Sequence, residues 1–120
     1  MEKYNKVIGN YGEEEAAQFL IKNKYKIIER NYSCKYGEID IIAKDKNIIV
    51  FVEVKSRTND KYGAPSTAVN YYKKKNIIKS AQSYIQKNKL QNELCRFDVV
   101  EVLVENADNN IRLIKNAFMV

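Results

Sequence analysis

The chain has 120 residues, with 21 Lys and Arg against 15 Asp and Glu, a formal net charge of +6. Its 45% hydrophobic content suits one globular domain over residues 1–120, and no apolar run nears the roughly 18 residues of a membrane span. The absence of histidine excludes Ser-His-Asp and Cys-His nucleophiles, so acid–base chemistry falls to carboxylates, lysine, tyrosine or a metal.

The N-terminus, Met1 to Lys6, lacks the apolar stretch and small-residue cleavage site of a signal peptide. A cytoplasmic location is the expectation, with Cys34 and Cys95 as reduced thiols. Two cysteines without histidine cannot build an ordinary closed zinc site. From Val7 to Lys22, Val7, Ile8, Tyr11, Ala16, Phe19 and Leu20 recur at helical spacing and predict a first helix. Tyr25 to Tyr32 reads as a first strand, and Glu38–Lys44 and Ile48–Arg57 as a hairpin turning at Asp45-Lys46-Asn47.

Asn59, Asp60, Gly63 and Pro65 mark a loop. A second helix is predicted from about Asn70 to Lys89 on the stripe Ile77, Ile78, Ala81 and Ile85, with Lys73, Lys74, Lys79 and Lys87 on its other faces. Arg96–Val104 predicts a fourth strand, Asn106–Asn110 a turn, and Ile111–Lys115 an edge strand. Helix, three strands, helix, two strands predicts an α/β sandwich around a mixed sheet. Between Lys55 and Arg96, ten Lys/Arg face only Asp60 and Glu93, a local balance of +8. That basic segment fits either a polyanion such as nucleic acid or a solvated lysine-rich face.

Asp40, Glu53 and Lys55 stand inside runs that otherwise read as core strands. Buried strands rarely carry charges unless these are paired or bind an ion. Strand alternation puts Val50, Val52 and Val54 on one face and Ile49, Phe51, Glu53, Lys55 and Arg57 on the other, and it groups Glu38, Asp40 and Ile42. A turn near Lys46-Asn47 sets Asp40 opposite or diagonal to Glu53, close enough for both to reach one divalent ion. The competing reading is an Asp–Lys–Glu ion network stitching the hairpin. Tyr62, Tyr71 and Tyr72 flank the basic segment, as core packing or as surfaces for unpaired bases.

Asp40 with Glu53-Val54-Lys55 resembles the PD-(D/E)xK signature of restriction-endonuclease-like nucleases, with Ile39 where that signature has proline. More closely, the chain resembles the YraN-type family of small bacterial proteins, related in fold to Holliday-junction resolvases. The resemblance spans nearly the whole chain. It runs through Gly9, Gly12-Glu13, Ala16 and Phe19-Leu20, then Arg30-Asn31-Tyr32, then Gly37-Glu38-Ile39-Asp40-Ile41-Ile42. It continues through Phe51 to Lys55, Arg57, Tyr62-Gly63, Pro65, Lys75 and Arg96 to Val100.

The resemblance implies a restriction-endonuclease-like three-layer core and a divalent-metal-dependent DNA endonuclease, acting on branched or structured DNA. Asp40 and Glu53 would be ligands for Mg²⁺ or Mn²⁺, and Lys55 would orient the attacking water and offset transition-state charge. A first-helix glutamate completes the metal site in related resolvases, and Glu13 matches it. Helical spacing sets Glu13 in line with Ala16 and Leu20 but Glu14 beside Ala17 and Ile21, so both remain open, as does a solvated acidic turn. Glu38 is a further candidate ligand, or a salt-bridge partner of Lys55 or Arg57. Arg57, Lys73, Lys74, Lys75 and Lys79 are candidate nucleic-acid contacts. Related resolvases act as dimers, which makes a homodimer the assembly to test. A non-catalytic nucleic-acid-binding protein on the same fold is the alternative function.

Overall fold

The computed structural model describes residues 2–57, 71–105 and 108–117, with side chains within 10–56, 72–103 and 110–117. Helix α1 (Glu2–Lys22) precedes strands β1 (Lys26–Cys34), β2 (Gly37–Asp45) and β3 (Ile48–Arg57). Helix α2 (Tyr71–Lys87), β4 (Leu94–Glu105) and β5 (Asp108–Ile114) follow. This is the α/β order expected from the hydrophobic pattern. The predicted 58–66 loop and Tyr62 lie outside the described residues.

The five strands form one mixed sheet in the order β1-β2-β3-β4-β5. β1, β2 and β3 form an antiparallel meander. β3 and β4 run parallel, which requires a long crossover that α2 supplies. β4 and β5 close as a hairpin whose ladder reaches Glu105↔Asp108. The turn expected at Asn106–Asn110 is therefore shorter, because Asn109 and Asn110 pair in the ladder. Helix α1 begins well before Val7. Residues 2–6 lack Gly and Pro, and hydrophobic periodicity is silent where nothing apolar recurs.

A helix covers each face of the sheet. Ala16, Ala17 and Leu20 of α1 pack on Ile41, Ala43, Val50, Val52, Val100 and Val102. Ile77, Ala81 and Tyr84 of α2 pack on Ile42, Ile49, Phe51, Phe97 and Val99. β3 thus alternates as predicted, even residues toward α1 and odd toward α2. The aromatic core on the α2 side joins Phe51 to Phe97 at 5.5 Å and Tyr32 to Tyr84 at 5.2 Å between ring centroids. Each fully buried side chain of this size contributes roughly 1.5–3 kcal/mol. Both helices end on a lysine in the left-handed region, Lys24 at φ 71° and Lys89 at φ 55°. The amides of Tyr25 and Leu90 then reach back to the carbonyls of Leu20 and Ile85, the capping that stops a helix cleanly.

Candidate metal centre

The site begins with a paired exchange of faces in β1 and β2. Arg30 and Tyr32 should share a face. Yet Arg30 reaches Glu14 of α1 at 2.8 Å, while Tyr32 packs in the α2-side core. Across the ladder, Ile41 belongs to the α1 side and Ile39 to the α2 side. Arg30 pairs with Ile41 and Tyr32 with Ile39, so both strands exchange faces at Asn31 and Asp40. Asn31 makes this possible with φ 54°, a conformation Asn tolerates better than most residues. Asp40 therefore does not simply share a face with Ile42, as strict alternation predicted. Its carboxylate turns along the sheet toward β3, where Oδ2 accepts the Val54 N–H at 2.8 Å. The β2–β3 ladder ends one residue earlier, at Ile41↔Val52.

In that position Asp40 is reached from both sides of the sheet. From the α1 side comes Glu13. Gly12 allows this, because a Cβ there would lie 1.7 Å from Ser56 Oγ and 2.8 Å from Ser56 Cβ. We expect Gly12→Ala to lower stability by about 1–3 kcal/mol, as overpacking does. Adding Ser56→Gly should restore part of it. Equal urea midpoints for Gly12→Ala and wild type would show that the close approach is not real.

Carboxylate oxygens of Glu13, Glu38 and Asp40 lie within 4.8 Å of one another. Glu14 is exposed and held by Arg30 instead, so of the two acids it is Glu13 that joins the cluster. Glu38 is exposed and stands in the cluster rather than in a salt bridge to Lys55.

From the α2 side comes Glu53, only 4% exposed. Its Oε1 binds the Lys73 ammonium and lies 3.8 Å from Lys55 Nζ. Asp40 thus stands between Glu13, in the same carboxylate cluster, and Glu53, on which its charge acts. Gly37, Glu38, Asp40, Glu53, Lys73, Asn76 and Ile77 line a cleft of about 260 Å³.

Burial, with the neighbouring Glu13 charge, pushes the Asp40 carboxyl up to about 6, although the Val54 amide opposes it. Burial and the Asp40 charge push Glu53 up to about 7 against the pull of Lys73. Burial and the adjacent Lys73 ammonium bring Lys55 down to about 8. Burial also opposes the Lys73 charge, but the Glu53 carboxylate outweighs it and holds that pKa above its ordinary value.

These directions set a pH dependence for metal-free protein. Between about pH 4.5 and 7 the folded state binds more protons than the unfolded chain, since both acids titrate higher when folded. Stability therefore falls as pH rises through that window, and above it the lowered Lys55 pKa turns the slope upward. Denaturant melts in EDTA across about pH 4.5–7 measure the first effect, and a rising curve there would contradict the buried-carboxylate geometry.

Lys73, expected on a helix face away from the apolar stripe and a candidate nucleic-acid contact, is half-buried against Glu53. From α2 it reaches across to Glu53 of β3. Lys74 is half-buried, and Lys75 and Lys79 are exposed. The side chains of Arg57 and Tyr71 lie outside the described ones.

Sequence reasoning passed over Glu101, which the parallel register sets beside Lys55. It is 5% exposed, and Arg112 holds Oε2 at 2.8 Å. Oε1 has no hydrogen-bond partner among the described residues. The signal was present, a carboxylate in the apolar run Val99–Leu103.

The donor set is made only of carboxylate oxygens, and three of them converge. It fits a hard divalent cation, whose charge would relieve the repulsion that raises the acids. The fold and site define a mixed-sheet α/β protein with an acidic cluster that could bind a metal, flanked by two lysines.

Comparison with known sequences places that class. The pattern of the uncharacterised protein family UPF0102 matches residues 12–102, and the chain belongs to this family. A UPF0102 protein of Clostridium tetani (strain Massachusetts / E88) is 53% identical over 120 residues, covering 98% of each chain. One from Clostridium botulinum (strain 657 / Type Ba4) is 52% identical over 119 residues, covering 97% of each. No helix among the described residues is long and apolar enough to cross a membrane.

Proposed function

We propose that the chain, as a single nuclease-like domain, is a divalent-metal-dependent endonuclease that hydrolyses phosphodiester bonds in branched or otherwise structured DNA. One observation carries the reading. Glu13, Asp40 and Glu53 come from three different elements and converge, Asp40 with Glu13 and Glu38 in one carboxylate cluster and with Glu53 along one cleft, while Lys55 lies 3.8 Å from Glu53. Glu13, Glu38 and Asp40 would hold Mg²⁺ or Mn²⁺, with Glu53 as a further ligand once Lys73 releases it. When bound, the ion supplies charge neutralisation at the phosphate and activation of water.

The remaining work belongs to the chain. Lys55, brought down to about 8, can hold or give up a proton at Nζ near neutral pH. As the ammonium it donates to a phosphate oxygen where charge develops. Lys73, released from Glu53, offers a second cation to the same phosphate. The Val54 amide fixes Asp40 in place before any ligand arrives, which is the preorganisation such catalysis needs.

Incubating wild type with forked, four-way and linear DNA in Mg²⁺, Mn²⁺ or EDTA tests the reading. Metal-dependent cleavage of a structured form is expected. Intact DNA in every combination would overturn it.

The ion pairs of Lys73 and Lys55 with Glu53 favour a second reading, a non-catalytic nucleic-acid-binding protein stitched by an ion network. It predicts salt-sensitive DNA binding without cleavage. If the enzyme acts on both strands of a junction, a homodimer supplies the second site, and sedimentation with and without junction DNA reads this out.

A further inference from the structure

A second hollow follows the acidic cleft along α2, and it includes Lys79, one of the candidate nucleic-acid contacts. It measures about 400 Å³ and is lined by Lys35, Tyr36, Lys79, Gln82, Ser83 and Gln86. It contains no acid, in contrast to its neighbour. The β1–β2 turn forms one wall and α2 the other. The turn is pinned to the helix, since the Cys34 thiol donates to Ser80 Oγ at 3.4 Å. Gly37, at φ 141°, faces the helix, where a Cβ would make ordinary contact at 3.8 Å with Asn76 and Ser80.

Tyr36 stands at the tip of this turn, 38% exposed. Lys35 Nζ lies 5.1 Å and Lys79 Nζ 5.7 Å from its ring centroid. An exposed ring flanked by two ammonium groups offers a surface for stacking and charge for a phosphate.

The two hollows run in sequence along the same two walls. Gly37 and Asn76 line the acidic cleft, while Tyr36 and Lys79 line the basic one. Asn76 and Lys79 are about one helical turn apart, roughly 5 Å. A strand with a phosphate at the carboxylates would carry its neighbouring nucleotide into the basic hollow. The hollow is of single-ligand size, and the exposed Tyr36 ring offers a face to an unpaired base, whereas a base inside a duplex already has both faces covered by its stacked neighbours.

Resting on the nuclease reading of the acidic cleft, we propose that this hollow is a subsite for an unpaired nucleotide of the DNA strand, next to the scissile phosphate. The base stacks on Tyr36. Lys35 and Lys79 move from the ring to the flanking phosphate, and Gln82 and Gln86 hydrogen-bond the base edge without demanding one sequence.

Fluorescence anisotropy in EDTA, where no cleavage occurs, tests this with a labelled duplex carrying a single-stranded flap and a matched blunt duplex. Tyr36→Ala should weaken flap binding by about 5- to 100-fold and leave the blunt duplex within about twofold. Tyr36→Phe should bind the flap as wild type does, and thermal melts confirm that each variant is folded. Unchanged flap binding by Tyr36→Ala, or an equal loss on both DNAs, overturns the subsite. The two proposals fail separately. Stacking-dependent flap binding with no cleavage under any metal removes the nuclease and keeps the subsite. Cleavage with no dependence of flap binding on Tyr36 does the reverse.

Discussion

Asp40→Asn should abolish metal-stimulated cleavage, a loss of at least about 100-fold, while making the metal-free protein more stable. The two effects share one cause. Asp40 is a mostly buried carboxylate crowded by Glu13 and Glu53, and its charge is resisted by its surroundings. The amide removes that charge, and its oxygen can still accept the Val54 N–H that Asp40 accepts now. At pH 8 in EDTA a gain of about 1 kcal/mol or more is expected, given 1.36 kcal/mol per unit of pKa displacement. The same change removes a charged oxygen from the cluster that would hold the ion. Opposite signs for activity and stability mark a group retained for function against the preference of the fold. Gel assays on structured DNA and urea melts in EDTA measure the two. Cleavage within a few-fold of wild type, or a lower melt, would show that Asp40 is part of a stabilising ion network.

Arg96→Met should cost about 3–5 kcal/mol, the largest stability effect expected in the chain. Asp98 is fully buried. It accepts Arg96 Nε and a second Arg96 nitrogen at 2.9 Å each, and the Asn116 amide at 2.9 Å. Arg96 also binds Asp45 beside the β2–β3 turn at 3.0 Å and the Tyr25 hydroxyl at 2.8 Å. Burial and the Asp98 charge push that hydroxyl up to about 12, which keeps it protonated. Methionine would match the length of the arginine stem but strand a buried carboxylate, and it would untie β4 from β2 and from the segment after α1. Removing one partner costs more than the pair contributes, because the charge left behind is desolvated. Guanidinium unfolding measures the loss. The network lies among α1-side residues, so DNA binding by the folded fraction should be little changed. A cost below 1 kcal/mol would mean that solvent replaces the guanidinium, against the burial observed.

The element order was legible from periodicity, since each helix presents one apolar stripe and β3 alternates strictly. The hairpin and the pairing of Asp40 with the Glu53 region followed from a short polar turn, which leaves few registers. Glu13 and Glu14 could not be separated by spacing, because adjacent residues on a helix differ by 100° and both flanked apolar neighbours. The ion pair that holds Glu14 on Arg30, a β1 residue distant in sequence, and the place of Glu13 beside Asp40 decide between them. Lys73 was missed as a partner of Glu53 because its apolar stripe says how α2 rotates, not which strand residue its first turn reaches.

The residue types by themselves determined the chemistry available to this protein: carboxylates and lysines on rigid apolar strands, without histidine. They also determined the family and the layered fold, because hydrophobic period and strand alternation are local properties of the chain. Only the tertiary structure decided which carboxylates meet. Asn31 and Asp40 exchange faces together across a ladder, and such a paired kink breaks the two-residue period on which any one-strand reading depends. Tyr36 between two lysines likewise exists only once a turn and a helix distant in sequence are packed together, since long-range packing is what sets those distances.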